Sequence, residues 1–265
     1  MDWLHALVLA LTQGLTEFLP VSSSAHLVLV SLVAGWEDQG LSFDVAVHMG
    51  TLVAVIWYFR RDLTQMAADF LRSCAGAGSG PGARLAWAVI LGTVPVALAG
   101  LTFRDVVATH LRDPLIIAFG LIFFGILLGW ADWRNRGGRG VHDLAWKDVL
   151  IIGCAQALAL VPGTSRSGVT MTAGLFLGLS REASARFSFL LSVPVIFLAG
   201  VLETGRLLGQ PEPAAWGLVG VAGMAAGISA YLCIHFFLKF IRSVGMQPFV
   251  IYRILAGMLL LGGYW

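Results

Sequence analysis

Phe18-Leu19-Pro20-Val21-Ser22-Ser23-Ser24 and Val161-Pro162-Gly163-Thr164-Ser165-Arg166-Ser167 interrupt two otherwise apolar regions, 3–34 and 149–179, near their middles. In each, a proline stops one helical arm and hydroxyl residues open the next. The arms are too short to cross a bilayer, which takes roughly 20 apolar residues. Each region is therefore expected to be a re-entrant helical hairpin. Irregular backbone at membrane depth survives only where it is packed in protein or lines a wet cavity, so the two breaks mark buried, functional ground.

The rest of the chain fits that reading. Of 265 residues, 58% are hydrophobic and only 12% charged, and the mean hydropathy is +0.83. Soluble domains carry about a quarter charged residues, so this surface is expected to face lipid. Charge-poor runs at about 43–60, 85–103, 114–131, 187–203, 214–238 and 249–264 read as six transmembrane helices. Residues 75–82, AGAGSGPG, read as a flexible linker. A net charge of +2 argues against a nucleic-acid partner. Cys74, Cys154 and Cys233 have neither disulfide nor zinc-site spacing. The first residues lack a basic n-region and a small-residue cleavage site, so no removable signal is expected.

Positive charge sets the topology. One set of connections (60–84, 132–148, 181–186, 239–242) carries Arg60, Arg61, Arg72, Arg84, Arg134, Arg136, Arg139, Lys147, Arg181, Arg186, Lys239 and Arg242. The opposite side holds Arg104, Arg112 and Arg206. This bias exists only if both broken regions return to the side they entered from. The chain is then expected to be one membrane domain, 1–265, with both termini extracytoplasmic. Trp36, Trp57, Trp87, Trp130, Trp133, Trp146, Trp216 and Trp265 fall near span ends, as an interfacial belt should. A shift of 143 residues superposes Gln13 on Gln156, Ser22 on Ser165 and Ser24 on Ser167. Three spans separate the copies, an odd number, so the fold is expected to be two inverted-topology repeats, about 1–131 and 149–265. Their broken helices should meet near the midplane.

The residues at the breaks carry a specific chemistry. Gln13 and Glu17 lie one helical turn apart on a shared face, and an ionisable Glu17 in an apolar segment is functional by default. Ser22, Ser23 and Ser24 start the next arm, with His26 in its first turn; such a helix start presents free amides to an anion. The second break offers Gly163, Thr164, Ser165, Ser167 and Thr170, together with Arg166, whose guanidinium suits phosphate. Burying Arg166 unpaired costs at least about 2.5 kcal/mol, so an anion should sit beside it, either Glu17 or a ligand. Asp44 and His48 are candidates for lining the cavity. Arg253 falls inside an apolar run and is expected to snorkel or to pair.

Four stretches, QGLTEFLPVSSSAHL at 13–27, FDVAVHMGTL at 43–52, PGTSRSGVTM at 162–171 and SREASARFSFLLSVP at 180–194, resemble the motifs of the undecaprenyl-diphosphate phosphatase family, the bacterial bacitracin-resistance proteins. The resemblance runs essentially from end to end. It implies removal of the terminal phosphate from a polyprenyl diphosphate lipid, recycling the carrier used in peptidoglycan synthesis, with a divalent cation, Mg2+ or Ca2+. It also implies that Glu17 and Gln13 form the acidic, metal-binding motif, that His26 is the family's essential histidine, and that Ser165, Arg166 and Ser167 bind phosphate. Two positions depart from the family pattern. Gln13 stands where some members have glutamate, so a two-carboxylate metal site is in question, and Ala25 stands where glycine is frequent. The nucleophile is open between Ser23 or Ser24, activated by His26 or Glu17, and His26 itself through a phosphohistidine. Oligomeric state is not written in these motifs.

Two rivals frame the test. A type-2 phosphatidic-acid phosphatase would need a distal histidine soon after the Ser165-Arg166 pair, but none follows until His235. A flippase or secondary transporter would use the same architecture and the same anion sites. It would have no need of a base or a nucleophile.

Overall fold

The computed structural model describes residues 2–36, 41–76, 78, 80–111, 113–207 and 216–263, without the side chains of 41, 42, 104–110, 207 and 216. These residues form helices and connecting turns with no strand among them. The first broken region is α1 (Trp3–Thr16) and α2 (Ser23–Ala34). There follow α3 (Leu41–Tyr58), α4 (Arg60–Cys74), α5 (Pro81–His110) and α6 (Pro114–Arg134). The second broken region is α7 (Trp146–Ala157), a 3-10 turn at Leu158–Leu160, and α8 (Arg166–Phe176). The chain ends with α9 (Arg181–Leu207), α10 (Trp216–Ser243) and α11 (Gln247–Gly262).

Each expected span is helix over nearly all of its described residues. Within the described residues α5, α6, α9 and α10 are long and apolar enough to cross a membrane by themselves. Pro95 and Pro194 lie inside α5 and α9, as membrane helices tolerate. α3 reaches that length only together with α4, from which it is bent by 78°. The 16-residue α11 is shorter than an ordinary span. The expected run 60–84 was a loop; its first half is in fact helix α4, polar on one side and apolar on the other. A single apolar Met66 is buried there. Pro81 in the expected linker already belongs to α5, and residues 77 and 79 lie outside the described set.

Outward faces are apolar: Leu98, Leu101, Phe119, Phe123, Ile228 and Leu232 are all exposed, far beyond what a water-facing surface carries. Trp57, Trp130, Trp133 and Trp146 are exposed near helix ends. The side chain of Trp216, that of Arg104, and Arg112 and Trp265 altogether lie outside the described residues. Inside, helices meet through small residues, because lipid removes the hydrophobic drive and leaves close packing to hold them. A methyl added at Gly50 of α3 would come within 2.0 Å of the Gly223 carbonyl of α10. The connection after α6 is stapled to the α8–α9 turn. Asn135 Nδ2 donates to the carbonyls of Leu175 and Leu179, and Arg139 donates to that of Leu177 and to the Asp148 carboxylate. An aromatic cluster of Phe18, Phe59, Phe189 and Phe237 packs beneath the first break.

Candidate active site

The two breaks share an uncommon backbone. Ser22 has φ 74° and Ser165 φ 71°, and these are the non-glycine residues with positive φ among those described. Each precedes the first residue of a helix, α2 or α8. Such a conformation costs about 1–3 kcal/mol and persists only where the surroundings enforce it. In both, the serine hydroxyl lies beside that of the second residue on, Ser22 with Ser24 at 3.3 Å and Ser165 with Ser167 at 3.2 Å. The departures lie in what each tip leaves open. Ser165 Oγ accepts from the Gly168 amide at 3.1 Å, capping α8. No side chain caps α2, so its first amides remain as donors.

The tips touch. Ser167 Oγ donates to the Leu19 carbonyl at 2.7 Å. Arg166 Nη2 donates to Glu17 Oε1 at 2.9 Å, and its Nη1 to the Ser188 carbonyl at 3.1 Å. The Arg166 guanidinium also lies 5.9 Å from the Phe18 ring centre. Glu17 Oε2 accepts from Ser23 Oγ at 2.7 Å and from Gln13 Nε2 at 2.9 Å, with His48 Nε2 4.0 Å away. Hydroxyl, carboxylate and guanidinium thus form one chain, Ser23–Glu17–Arg166, across the junction. His48 Nδ1 faces the Asp44 carbonyl at 2.7 Å. A carbonyl can only accept, so Nδ1 carries the hydrogen and Nε2 presents its lone pair toward the carboxylate when the ring is neutral.

A cleft of about 460 Å³ opens here, lined by Glu17, Asp44, His48 and Arg166, by Leu160 of the second tip's approach, and by Glu203 and Arg206 at its rim. The sequence pointed to Asp44 and His48 as lining residues, and both line it. The other candidates have different neighbours. Ser24 is exposed and bonds Ser22. His26 packs on α11, its Nδ1 on the Ser22 carbonyl at 2.7 Å and its Nε2 2.5 Å from the Tyr252 hydroxyl. Thr170 Oγ1 donates to the Arg166 carbonyl and bonds Ser188 Oγ at 2.8 Å. Thr164 is buried with its hydroxyl unpartnered. Gly163 has φ 87°, and a methyl there would stand 2.3 Å from the Ile117 carbonyl; only glycine fits this turn against α6. Ala25, where the family resemblance led to a glycine, is buried within the first turn of α2, a helical position with no need of one.

Of the two expectations for Arg253, to snorkel or to pair, the structure shows a paired side chain, with carbonyls as the partners. It is 0% exposed, and its guanidinium is enclosed by backbone carbonyls. Nη1 donates to Pro20 at 3.0 Å, Nη2 to Gly163 and Thr164 at 2.9 Å each and to Gly120 at 3.3 Å, and Nε to Leu121 at 3.2 Å. One cation from α11 therefore ties both tips to α6, through backbone acceptors that residue identity does not reveal.

A divalent cation was tested against the donors present. Among the described residues no three His, Cys, Asp or Glu side chains gather into a metal cage. Gln13 Oε1, however, is buried without a hydrogen-bond partner beside the Glu17 carboxylate. One carboxylate and one amide oxygen are hard donors of the kind that share magnesium or calcium with substrate phosphates. The donor set fits a cation that arrives with its anion.

The fold and site together define a helical, multi-pass membrane protein whose two broken helices bring a carboxylate and an arginine to one cleft, with a serine hydrogen-bonded to the carboxylate. Comparison with known proteins places it: the chain belongs to the family described as bacitracin resistance protein BacA, matched over residues 6–259. It is 56% identical over 260 residues to the undecaprenyl-diphosphatase of Nitrosococcus oceani, covering 98% of each chain. It is 55% identical over 266 residues to that of Thioalkalivibrio sulfidiphilus, covering 100% of each. It is also 57% identical over 264 residues to undecaprenyl-diphosphatase 2 of Stutzerimonas stutzeri.

Proposed function

We infer that this chain is an undecaprenyl-diphosphate phosphatase. It hydrolyses the lipid diphosphate to the monophosphate and inorganic phosphate, which returns the carrier to cell-wall synthesis. The observation that carries the mechanism is the Ser23–Glu17–Arg166 chain, with contacts of 2.7 and 2.9 Å. Arg166 and the uncapped amides of α2 hold the terminal phosphate and stabilise charge on its equatorial oxygens. Ser23 Oγ attacks that phosphorus and gives its proton to Glu17 Oε2. The bond to the bridging oxygen breaks, and the lipid monophosphate leaves with the bridging electrons. The departing monophosphate takes that proton from Glu17; water then attacks the phosphoserine and gives a proton to the freed carboxylate, and as the P–Oγ bond breaks and phosphate leaves, Glu17 returns the proton to Ser23 Oγ. Gln13 and Glu17 would hold a magnesium or calcium ion, which when bound supplies further neutralisation of the diphosphate.

The arrangement is read as two inverted repeats crossing a bacterial inner membrane, with six spans and both termini outside. The paired Ser22 and Ser165 backbones support the repeat. So do the paired glutamines, since Gln13 and Gln156 are both fully buried, each with an unpartnered amide oxygen. The cleft reaches Glu203 and Arg206, away from the strongly basic connections, which supports approach of the headgroup from the extracytoplasmic side.

The test is phosphate release from a C15 or C55 isoprenyl diphosphate by purified protein in detergent, where no gradient exists and transport cannot register. Wild type is expected to release phosphate, and Arg166→Ala and Glu17→Ala to lose that activity. No release by wild type, or full release by both variants, would defeat the reading. A trapped protein-bound label that is base-stable and acid-labile would replace the serine with a histidine.

A further inference from the structure

The far end of the α3–α9 pair carries a second polar pocket, separate from the catalytic cleft. It measures about 320 Å³ and is lined by Tyr58 and Phe59 after α3, Asp62 of α4, Glu182 and Arg186 of α9, and His235, Leu238, Lys239 and Arg242 of α10. Two of its cations are committed: Arg186 Nη2 lies 2.6 Å from Asp62, and Arg242 Nη2 lies 2.5 Å from Glu182. Three cations face two carboxylates, which leaves one positive charge over. Lys239 makes no ion pair among the described residues, and Arg186 Nε is buried with no hydrogen-bond partner. A buried guanidinium N–H without an acceptor is unfavourable, and this one belongs to a side chain that lines the pocket.

We propose that this pocket binds the phosphate group of an anionic lipid headgroup. Lys239 Nζ contacts the phosphate oxygens beside the Arg186 and Arg242 guanidiniums, and Tyr58, Phe59 and Leu238 form the wall along which the glycerol and acyl start lie. Its depth agrees. Trp57, one residue before Tyr58, is exposed, with the Arg60 guanidinium 5.0 Å from its ring, an aromatic and basic pairing of the headgroup level. α4 turns away from α3 by 78° at this point, as an amphipathic helix does when it lies in the interface. Asp62 lies in the first turn of α4 and Glu182 in that of α9, so the starts of two helices border the pocket. A free phosphate ion offers the same oxygens, and the experiment separates the two sources.

Native mass spectrometry of the purified full chain, exchanged into detergent with phosphatidylglycerol, with phosphatidylcholine or with inorganic phosphate, reads occupancy directly. Wild type is expected to retain phosphatidylglycerol over phosphatidylcholine. Removing one interfacial cation in Lys239→Gln should cut that retention about fivefold, and Lys239→Arg should restore it. Lys239 is exposed, so its replacement leaves the fold intact. A phosphate adduct lost in Lys239→Gln, with no preference between the lipids, would keep the site and assign it to the free ion. Equal retention of both lipids without a phosphate adduct, or retention that Lys239→Gln leaves unchanged, overturns the proposal.

Discussion

The two broken hairpins turn on the same backbone and do different work. At both, a serine sits at positive φ ahead of a helix, and the hydroxyl two residues on leans back toward it. At the second tip the hydroxyls, Thr164 excepted, are engaged by the protein itself. Ser165 caps its helix, Ser167 holds the Leu19 carbonyl, and Thr170 bonds Ser188. Only Arg166 reaches outward, to Glu17. At the first tip the helix start is uncapped and a carboxylate lies within hydrogen-bond reach of Ser23. One turn geometry thus supports a clamp in one half of the molecule and, in the mechanism proposed above, a reactive group in the other.

The sharpest way to break this contrast is to remove the reactive hydroxyl. Ser23→Ala is expected to lower phosphate release by about 10⁴-fold or more, whereas Ser24→Ala should stay within about tenfold of wild type in the same assay. Equal losses would erase the distinction between neighbouring serines. Next in size is the clamp. Arg166→Lys keeps the charge but loses the planar fork, and kcat/KM should fall about 10²–10³-fold.

The element common to both tips is Arg253. Arg253→Met strips a donor from carbonyls of both tips and of α6. At about 1–3 kcal/mol for each acceptor left unsatisfied, it should lower the unfolding temperature in detergent and open both breaks to protease together. Cleavage at one tip alone would show that they are held independently. Gln13→Glu adds a second carboxylate beside Glu17 and should lower the half-saturating magnesium or calcium concentration roughly tenfold, as activity titrations after chelation would read. The smallest effect compares the turns themselves. Ser22→Gly relieves its strain and should stabilise by about 1 kcal/mol, while Ser165→Gly, which also loses its cap, should gain a few tenths less.

What the sequence disclosed and what it hid divide along a physical line. The breaks at Pro20 and Pro162, the helices over the apolar runs, and the meeting of Glu17 with Arg166 followed from apolar length and from the cost of a lone buried charge. The carbonyl cage around Arg253 could not, because its acceptors are backbone atoms 89 to 233 residues away, and a carbonyl leaves no mark in a residue's identity. The His26–Tyr252 contact spans 226 residues for the same reason. The bend between α3 and α4 was hidden too. The basic residues from Arg60 onward read as a connection, although an interfacial helix is rich in them.

Arg253 makes a permanent cation of what other phosphate-handling sites borrow from solution. It is bound as an alkali ion is bound in a pore, by a shell of carbonyl oxygens, but its covalent tether fixes its occupancy at one. An exchangeable metal obeys mass action and can be withdrawn by a chelator; this cation cannot. The positive potential beneath the two tips is therefore independent of the metal content of the surroundings, and chelation should weaken turnover while leaving a measurable affinity for the lipid diphosphate.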